Sequence, residues 1–98
     1  MVSKPVRNYE MVVVLNPEAN EEEVSATVQR LDDFITERGG AITDHQNWGL
    51  RALAYPIQNF QEGNYVLTLF TADPAAVPEL DRAVEASEDI LRHLVTRV

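Results

Sequence analysis

The stretch NYEMVVVL, Asn8 to Leu15, decides the fold of this chain, and it ends abruptly at Asn16-Pro17. It is rich in β-branched residues and mostly apolar on both of its alternating faces. Such a run predicts a strand buried in the middle of a sheet, because an edge strand or a half-exposed strand would alternate with polar residues. The elements on either side of it are therefore expected to complete one sheet.

A helix is predicted next. Asn20 followed three residues later by Glu23 is typical of an N-cap with a glutamate that reaches back to it. Gly39 is placed to end the helix as the residue after the C-cap. The apolar side chains between them recur at helical spacing, with Phe34 alongside: Val24, Val28, Leu31 and Ile35.

Two strands joined as a hairpin are predicted after this helix. Ala41–Ile57 alternates poorly and contains Gly49, which favours one long strand with a bulge or bend near Trp48. Pro56 favours an edge position or a strand end for this segment. We expect a loop over Gln58–Gly63 and the second strand over Asn64–Thr71.

A second helix and a last strand complete the chain. The helical stretch follows Asp73-Pro74, and its regular part is expected to begin near Ala76, because Pro78 is tolerated only in a first turn. Ile90–Val98 is predicted to be a strand with Arg92 and Leu94 on one face and His93 and Val95 on the other. The order β-α-β-β-α-β predicts an α+β, ferredoxin-like fold: a four-stranded antiparallel sheet with both helices on one face and the other face open.

The chain has 98 residues, which suits one domain spanning 1–98, with 1–6 as a flexible extension. Its formal charge of −8 is unevenly distributed. The two helical segments, 18–38 and 73–89, carry −10, and the remainder carries +2. Charged solvent-facing helices are ordinary, but this layout also suits a field that turns the basic sheet toward a polyanion. Seven of the eight basic residues are Arg, which favours bidentate phosphate contacts over Lys.

Several classes of function are disfavoured. The chain has no Cys and only two separated His residues, so we expect no disulfide and no metal site. No nucleophile elbow, phosphate-binding loop or dinucleotide fingerprint occurs, so no catalytic residues and no cofactor are predicted. No apolar run approaches twenty residues, so we expect a soluble, cytoplasmic protein without a membrane partner. The competing hypothesis is a ferredoxin-like small-molecule binding or enzymatic domain that dimerises through its open sheet face.

The segment NWGLRALAYPI, Asn47 to Ile57, is unusual in so acidic a chain, because it holds the only Trp, an Arg and a Tyr, and no acid. One interpretation is structural, with Trp48 covering the helix layer and Arg51 solvated. The other is a bulged, exposed edge to which another chain adds, with Arg51 near a phosphate. Arg92 and His93 leave the same two interpretations open. Tyr9 and Tyr65, on strands predicted to be adjacent, are either packed or available to stack bases.

Segments along residues 7–98 resemble the bacterial small-subunit ribosomal protein six family. The Trp-Gly-Leu-Arg and Leu-Ala-Tyr-Pro-Ile runs, together with the Leu-Arg-His-Leu-Val ending, are the most specific part of the resemblance. It rests on the following segments, in chain order: Arg7-Asn8-Tyr9-Glu10, Leu15-Asn16-Pro17, Gly39-Gly40, Trp48 to Ile57, Gly63-Asn64-Tyr65, Glu79-Leu80 and Ile90 to Val95.

The resemblance implies a structural protein of the ribosome that pairs with ribosomal protein eighteen and helps to hold the central domain of 16S ribosomal RNA. It implies no enzyme activity and no small-molecule substrate. Its mechanism would be phosphate positioning by Arg together with a protein interface. Carried over by position, the RNA- or partner-binding residues are Arg7, Trp48, Arg51, Tyr55, Arg92 and His93, with Trp48 in a positional role.

Three departures from the family pattern bear on affinity. Ala52 stands where the family often has a second Arg. Gln58-Asn59 follows Pro56-Ile57, where the family often has a Lys. Glu85 stands where an Arg is common in the family. Each replaces a potential phosphate contact. We therefore expect weaker direct RNA binding and greater reliance on the partner protein than is usual in the family.

Overall fold

The computed structural model describes residues 6–57 and 59–98. The predicted flexible extension at 1–6 lies, apart from Val6, outside the described residues. The elements, in chain order, are β1 (Arg7–Leu15), α1 (Glu21–Glu37), β2 (Ala41–Ile57), β3 (Phe60–Ala72), a 3₁₀ turn (Pro74–Ala76), α2 (Val77–Glu85) and β4 (Ile90–Arg97).

The four strands form one antiparallel sheet in the order β2-β3-β1-β4. The Val-rich β1 is therefore central, as predicted, and β2 with its Pro56 is an edge strand. Both helices pack on the same face of the sheet, so the predicted ferredoxin-like architecture is confirmed.

The core lies between the sheet and the two helices. Alternate residues of β1 point into it, and Met11 and Val13 are each 1% exposed. Tyr9 also points into it and stacks on Phe70 with ring centroids 5.6 Å apart. Base stacking by Tyr9 is therefore not possible, since its ring belongs to the core. The helices contribute Val24, Leu31, Ile35, Leu80 and Val84.

Both ends of α1 are set by local hydrogen bonds. At the start, the side chain of Asn20 accepts from the backbone N–H of Glu23 at 2.9 Å, and the Glu23 carboxylate accepts from the Asn20 N–H at 3.4 Å. At the end, Gly39 has φ +83°, and the N–H groups of Gly39 and Gly40 donate to carbonyls of the last turn. This is a Schellman motif, so the predicted helix limits are confirmed.

The β2–β3 hairpin is longer than predicted, and the predicted loop over Gln58–Gly63 is wrong. Ile57 pairs with Phe60, which leaves two residues for the turn, and Asn59 there has φ +68°. The run Gln61-Glu62-Gly63 is misleading, because this part of β3 projects past the end of β1, whose pairing with β3 stops at Leu15 and Asn64. With little core to cover, the hairpin tip needs no apolar alternation. There Ala52 pairs with Glu62 and Ile57 with Phe60, with a register shift between the two pairs.

Candidate binding surface on the open sheet face

The sheet face turned away from the helices carries the candidate surface. We call it the open face. The register places on it the side chains that alternate with the core residues. They include Asn8, Glu10, Val12 and Val14 of β1, Tyr65, Leu67, Leu69 and Thr71 of β3, Arg92, Leu94 and Thr96 of β4, and Asp44, Gln46, Trp48 and Arg51 of β2.

A bulge in β2 sets the position of Trp48. The register shifts between Asn47 and Gly49, and Gly49 has φ +76°. The Asn47 side-chain oxygen accepts from the Gly49 N–H at 2.9 Å, which holds the turned backbone. Glycine suits this conformation because other residues adopt it at a cost. The predicted bulge is thus confirmed.

Trp48 lies on the open face, so the interpretation that it covers the helix layer is wrong. Its ring stacks on Tyr65 with centroids 6.5 Å apart and an interplanar angle of 16°. Its indole N–H donates to the side-chain oxygen of Gln46 at 3.2 Å. The guanidinium carbon of Arg51 lies over the ring, 5.5 Å from its centroid. Tyr65 and Arg51 therefore both lie against the Trp48 ring, and we call the three residues the Trp48 stack.

The outer part of the hairpin curls across the end of the open face. The hydroxyl of Tyr55, on edge strand β2, accepts a hydrogen bond from the guanidinium of Arg92, on the opposite edge strand β4, at 3.3 Å. At Gly63 the backbone runs so close to Val14 that an added Cβ would overlap the valine methyl group. Val14 is consequently only 3% exposed although it faces away from the helices. The open face is thus partly covered at this end.

Four of the six predicted site residues come together at the hairpin end of the open face: Trp48, Arg51, Tyr55 and Arg92. Arg7 does not join them. It pairs with Ala72 at the other end of β1, seven positions from Val14, which corresponds to roughly 23 Å along the strand. The family resemblance gives no sign of this separation, because it groups Arg7 with the other candidates without saying which end of the sheet each one occupies.

His93 is also apart from the other candidates, on the helix side of β4. Its ring nitrogen Nε2 lies 3.2 Å from the Asp81 carboxylate of α2, and its side chain is 17% exposed. His45 makes the matching contact from the other edge strand, 2.8 Å from Asp32 of α1. A His–Asp contact thus joins each edge strand to the helix that packs on it, β2 to α1 and β4 to α2. This placement favours the half-buried structural interpretation of His93.

Two residues of the surface, Tyr65 and Leu94, are not among the six predicted site residues. Tyr65 supports the Trp48 ring, and Leu94 is 62% exposed on the open face. The sequence predicts that Leu94 shares the face of Arg92, since it is two residues further along the strand, and the structure agrees. Tyr65 could not have been assigned to Trp48, because the pairing across the bulge depends on the hairpin register.

Most acidic residues lie on the helical side of the molecule, while Glu10 and Asp44 lie on the open face away from its hairpin end. The acidic residues of the helical segments lie on the side away from the open face, including Glu21, Glu22 and Glu23 in the first turn of α1. None of the three ion pairs found among the described residues includes Arg51 or Arg92. Both guanidinium groups are therefore available to an anionic partner.

Other kinds of site find little support. An apolar cavity near Phe34, Phe70 and Leu80 measures about 10 Å³, no more than a water molecule requires. His45 lines an open groove between α1 and β2. Within residues 6–57 and 59–98, no group of three or more His, Cys, Asp or Glu side chains is arranged to hold a metal ion. In that same part of the chain, no helix combines the length and apolarity needed to cross a membrane.

The fold and the open face together define a small ferredoxin-like domain whose open face presents exposed Arg, Trp, Tyr and Leu side chains toward its hairpin end. Comparisons with known proteins narrow this class. The model of the family described as ribosomal protein S6 matches residues 8–97. The chain therefore belongs to the ribosomal protein S6 family.

Individual relatives agree with this assignment. The chain is 45% identical over 92 residues to small ribosomal subunit protein bS6 of Caldanaerobacter subterraneus subsp. tengcongensis, and 42% identical over 92 residues to that of Desulforamulus reducens. Each alignment covers 94% of this chain and 97% of the relative. The crystal structure of 30S ribosomal protein S6 from Thermotoga maritima matches with a TM-score of 0.89 and 32% identity, over 96% of this chain and 89% of that one.

Membership of this family makes the chain a structural protein of the small ribosomal subunit and not an enzyme. It is a component of a ribonucleoprotein particle and takes part in translation. The resemblance to the family that the sequence motifs indicated is confirmed.

Proposed function

We propose that the chain binds the central domain of 16S ribosomal RNA together with ribosomal protein eighteen, as part of cytoplasmic ribosomes. The observation that supports this most directly is the position of Arg51 and Arg92. Both are exposed on one face, at the hairpin end, and neither forms an ion pair with an acidic residue of the described chain. Guanidinium groups so placed suit bidentate contacts with phosphate oxygens.

The acidic helical layer gives a reason for a protein partner. A net charge of −8 opposes binding of bare RNA, whereas a cationic partner protein neutralises part of it. The edge strand β2 is available for pairing on its outer side, and α1 contacts β2 on the helix side. An extended segment of a basic protein can therefore pair with β2 while its cations face the acids of α1.

Replacing Arg51 tests the RNA contact. We expect Arg51→Ala to weaken binding of the protein pair to a central-domain RNA fragment and to reduce the salt dependence by about one phosphate contact. The melting temperature should hardly change, because Arg51 is exposed and forms no ion pair. Affinity measured at several salt concentrations gives the slope.

Arg82→Ala is the matched control, since Arg82 is an exposed arginine of α2 on the acidic side. It lowers the net charge by the same amount and should leave the salt slope unchanged. Equal effects of the two variants would mean that only overall charge matters. A large loss of stability with unaltered RNA binding in Arg51→Ala would show that Arg51 is a structural residue.

A further inference from the structure

The Trp48 stack differs from the other aromatic–arginine pair found in the structure. Arg38 lies 3.5 Å from the Phe34 ring centroid and is fixed there by a 2.8 Å ion pair with Glu79. Arg51 lies 5.5 Å from the Trp48 centroid, and none of the ion pairs among the described residues includes it. The first pair is closed and fixed, whereas the Arg51 guanidinium lies farther from its ring and no ion pair within the described part of the chain holds it there.

The distance between Arg51 and the indole approaches what a nucleobase between them would require. A flat ring needs about 3.5 Å to the group on each side, or about 7 Å in total. Arg51 would have to move outward by roughly 1.5 Å, which its exposed side chain permits. The indole itself is held by the stacked ring of Tyr65 and by Gln46, which accepts a hydrogen bond from its N–H. Trp48 remains 39% exposed, so its free face is accessible.

The geometry points to a binding position for one unpaired nucleobase of the RNA, stacked on the free face of Trp48 beneath the guanidinium of Arg51. This rests on the proposed RNA-binding function and adds base stacking to phosphate contacts. Aromatic rings and guanidinium planes are the surfaces on which proteins stack unpaired RNA bases. Charge favours RNA over the protein partner here, since a cationic partner is attracted to the acidic helices and repelled by Arg51 and Arg92.

Fluorescence tests this directly, because Trp48 is the only tryptophan in the chain. The emission of Trp48 is recorded first with ribosomal protein eighteen alone, using a tryptophan-free version of that protein, and then after adding the central-domain RNA fragment. We expect quenching and shielding from acrylamide on addition of the RNA and no change on addition of the partner. A fully paired RNA duplex of equal length should cause neither effect.

Substitution gives a second readout. Trp48→Leu should lower RNA affinity roughly 5- to 100-fold while leaving the salt slope unchanged, because stacking releases no counterions. Trp48→Phe should restore most of the affinity, since it keeps an aromatic face. Circular dichroism and thermal unfolding of both variants verify that they are folded.

The failures can be told apart. RNA binding with unaltered Trp48 emission and normal affinity of Trp48→Leu would overturn the stacking position but leave the proposed function intact. A change in emission with ribosomal protein eighteen alone would assign Trp48 to the protein interface and also overturn it. Absence of RNA binding by the wild-type pair would overturn both proposals.

Discussion

Two adjacent residues of β4, Arg92 and His93, have different surroundings because neighbours in a strand point to opposite faces. Arg92 reaches Tyr55 on the open face, and His93 reaches Asp81 of α2 on the helix side. The two residues are adjacent in the Leu-Arg-His-Leu-Val motif of the family. Only the position of β4 in the sheet shows that their side chains contact different elements.

Separate replacement of these two residues should affect different properties, RNA binding for Arg92 and folding stability for His93. Arg92→Ala should weaken RNA binding and lower its salt slope by about one, with little change in stability. His93→Ala should cost about 0.5–1.5 kcal/mol of unfolding free energy through loss of the half-buried contact with Asp81, with an unchanged salt slope. Salt titrations and urea unfolding of both variants test this. The reverse pattern would mean that the open face is not the RNA-binding face.

Two glycines of the hairpin are required for different reasons. Gly63 leaves room for Val14, whereas Gly49 has open space around it but a positive φ. We expect Gly63→Ala to destabilise by about 1–3 kcal/mol, because an extra methyl group overfills a packed contact. Gly49→Asn should cost about 1 kcal/mol or less, since Asn tolerates the left-handed region. Urea unfolding of the two variants measures this order, and a larger loss for Gly49→Asn would contradict it.

At the scale of elements, α1 is defined by its own sequence. Its capping box and Schellman motif form between residues a few positions apart, and both were predicted from residue identity. Asn20→Ala should therefore destabilise the protein by about 0.5–2 kcal/mol. Ser25→Ala, an exposed change within the same helix, is the control and should be near neutral. Chemical unfolding compares them, and equal losses would show that the cap contributes nothing.

Elements fixed by local chemistry could be predicted from the sequence, and those fixed by register could not. The order of elements, the central position of β1 and the bulge at Gly49 followed from apolar runs and special residues. The true start of β3 at Phe60 did not, because Gln61-Glu62-Gly63 resembles a loop and this part of the strand pairs only with β2. The same limit applies to the site. The support of Trp48 by Tyr65 and the distance of Arg7 from Arg51 both depend on which residues face each other across strands.

At the scale of the whole molecule, the helical side is acidic, and the open face carries Arg51 and Arg92 at its hairpin end and Glu10 and Asp44 farther from it. Two described departures from the family pattern fall on different sides of the molecule. Ala52 lies in the hairpin beside Arg51, whereas Glu85 ends α2 and adds to the acidic layer. Gln58 lies outside the described residues. Arg51 and Arg92 alone provide few phosphate contacts in a chain of charge −8. We therefore expect RNA binding to depend on the partner protein.

The most direct test of this account is the binding of the purified wild-type protein to a central-domain 16S RNA fragment at two salt concentrations, with and without ribosomal protein eighteen. We predict binding only when the partner is present, weakened by added salt. Tight binding of the protein alone would contradict the need for a partner and show that the exposed arginines suffice. Absence of binding in both cases would contradict the proposed role in holding ribosomal RNA.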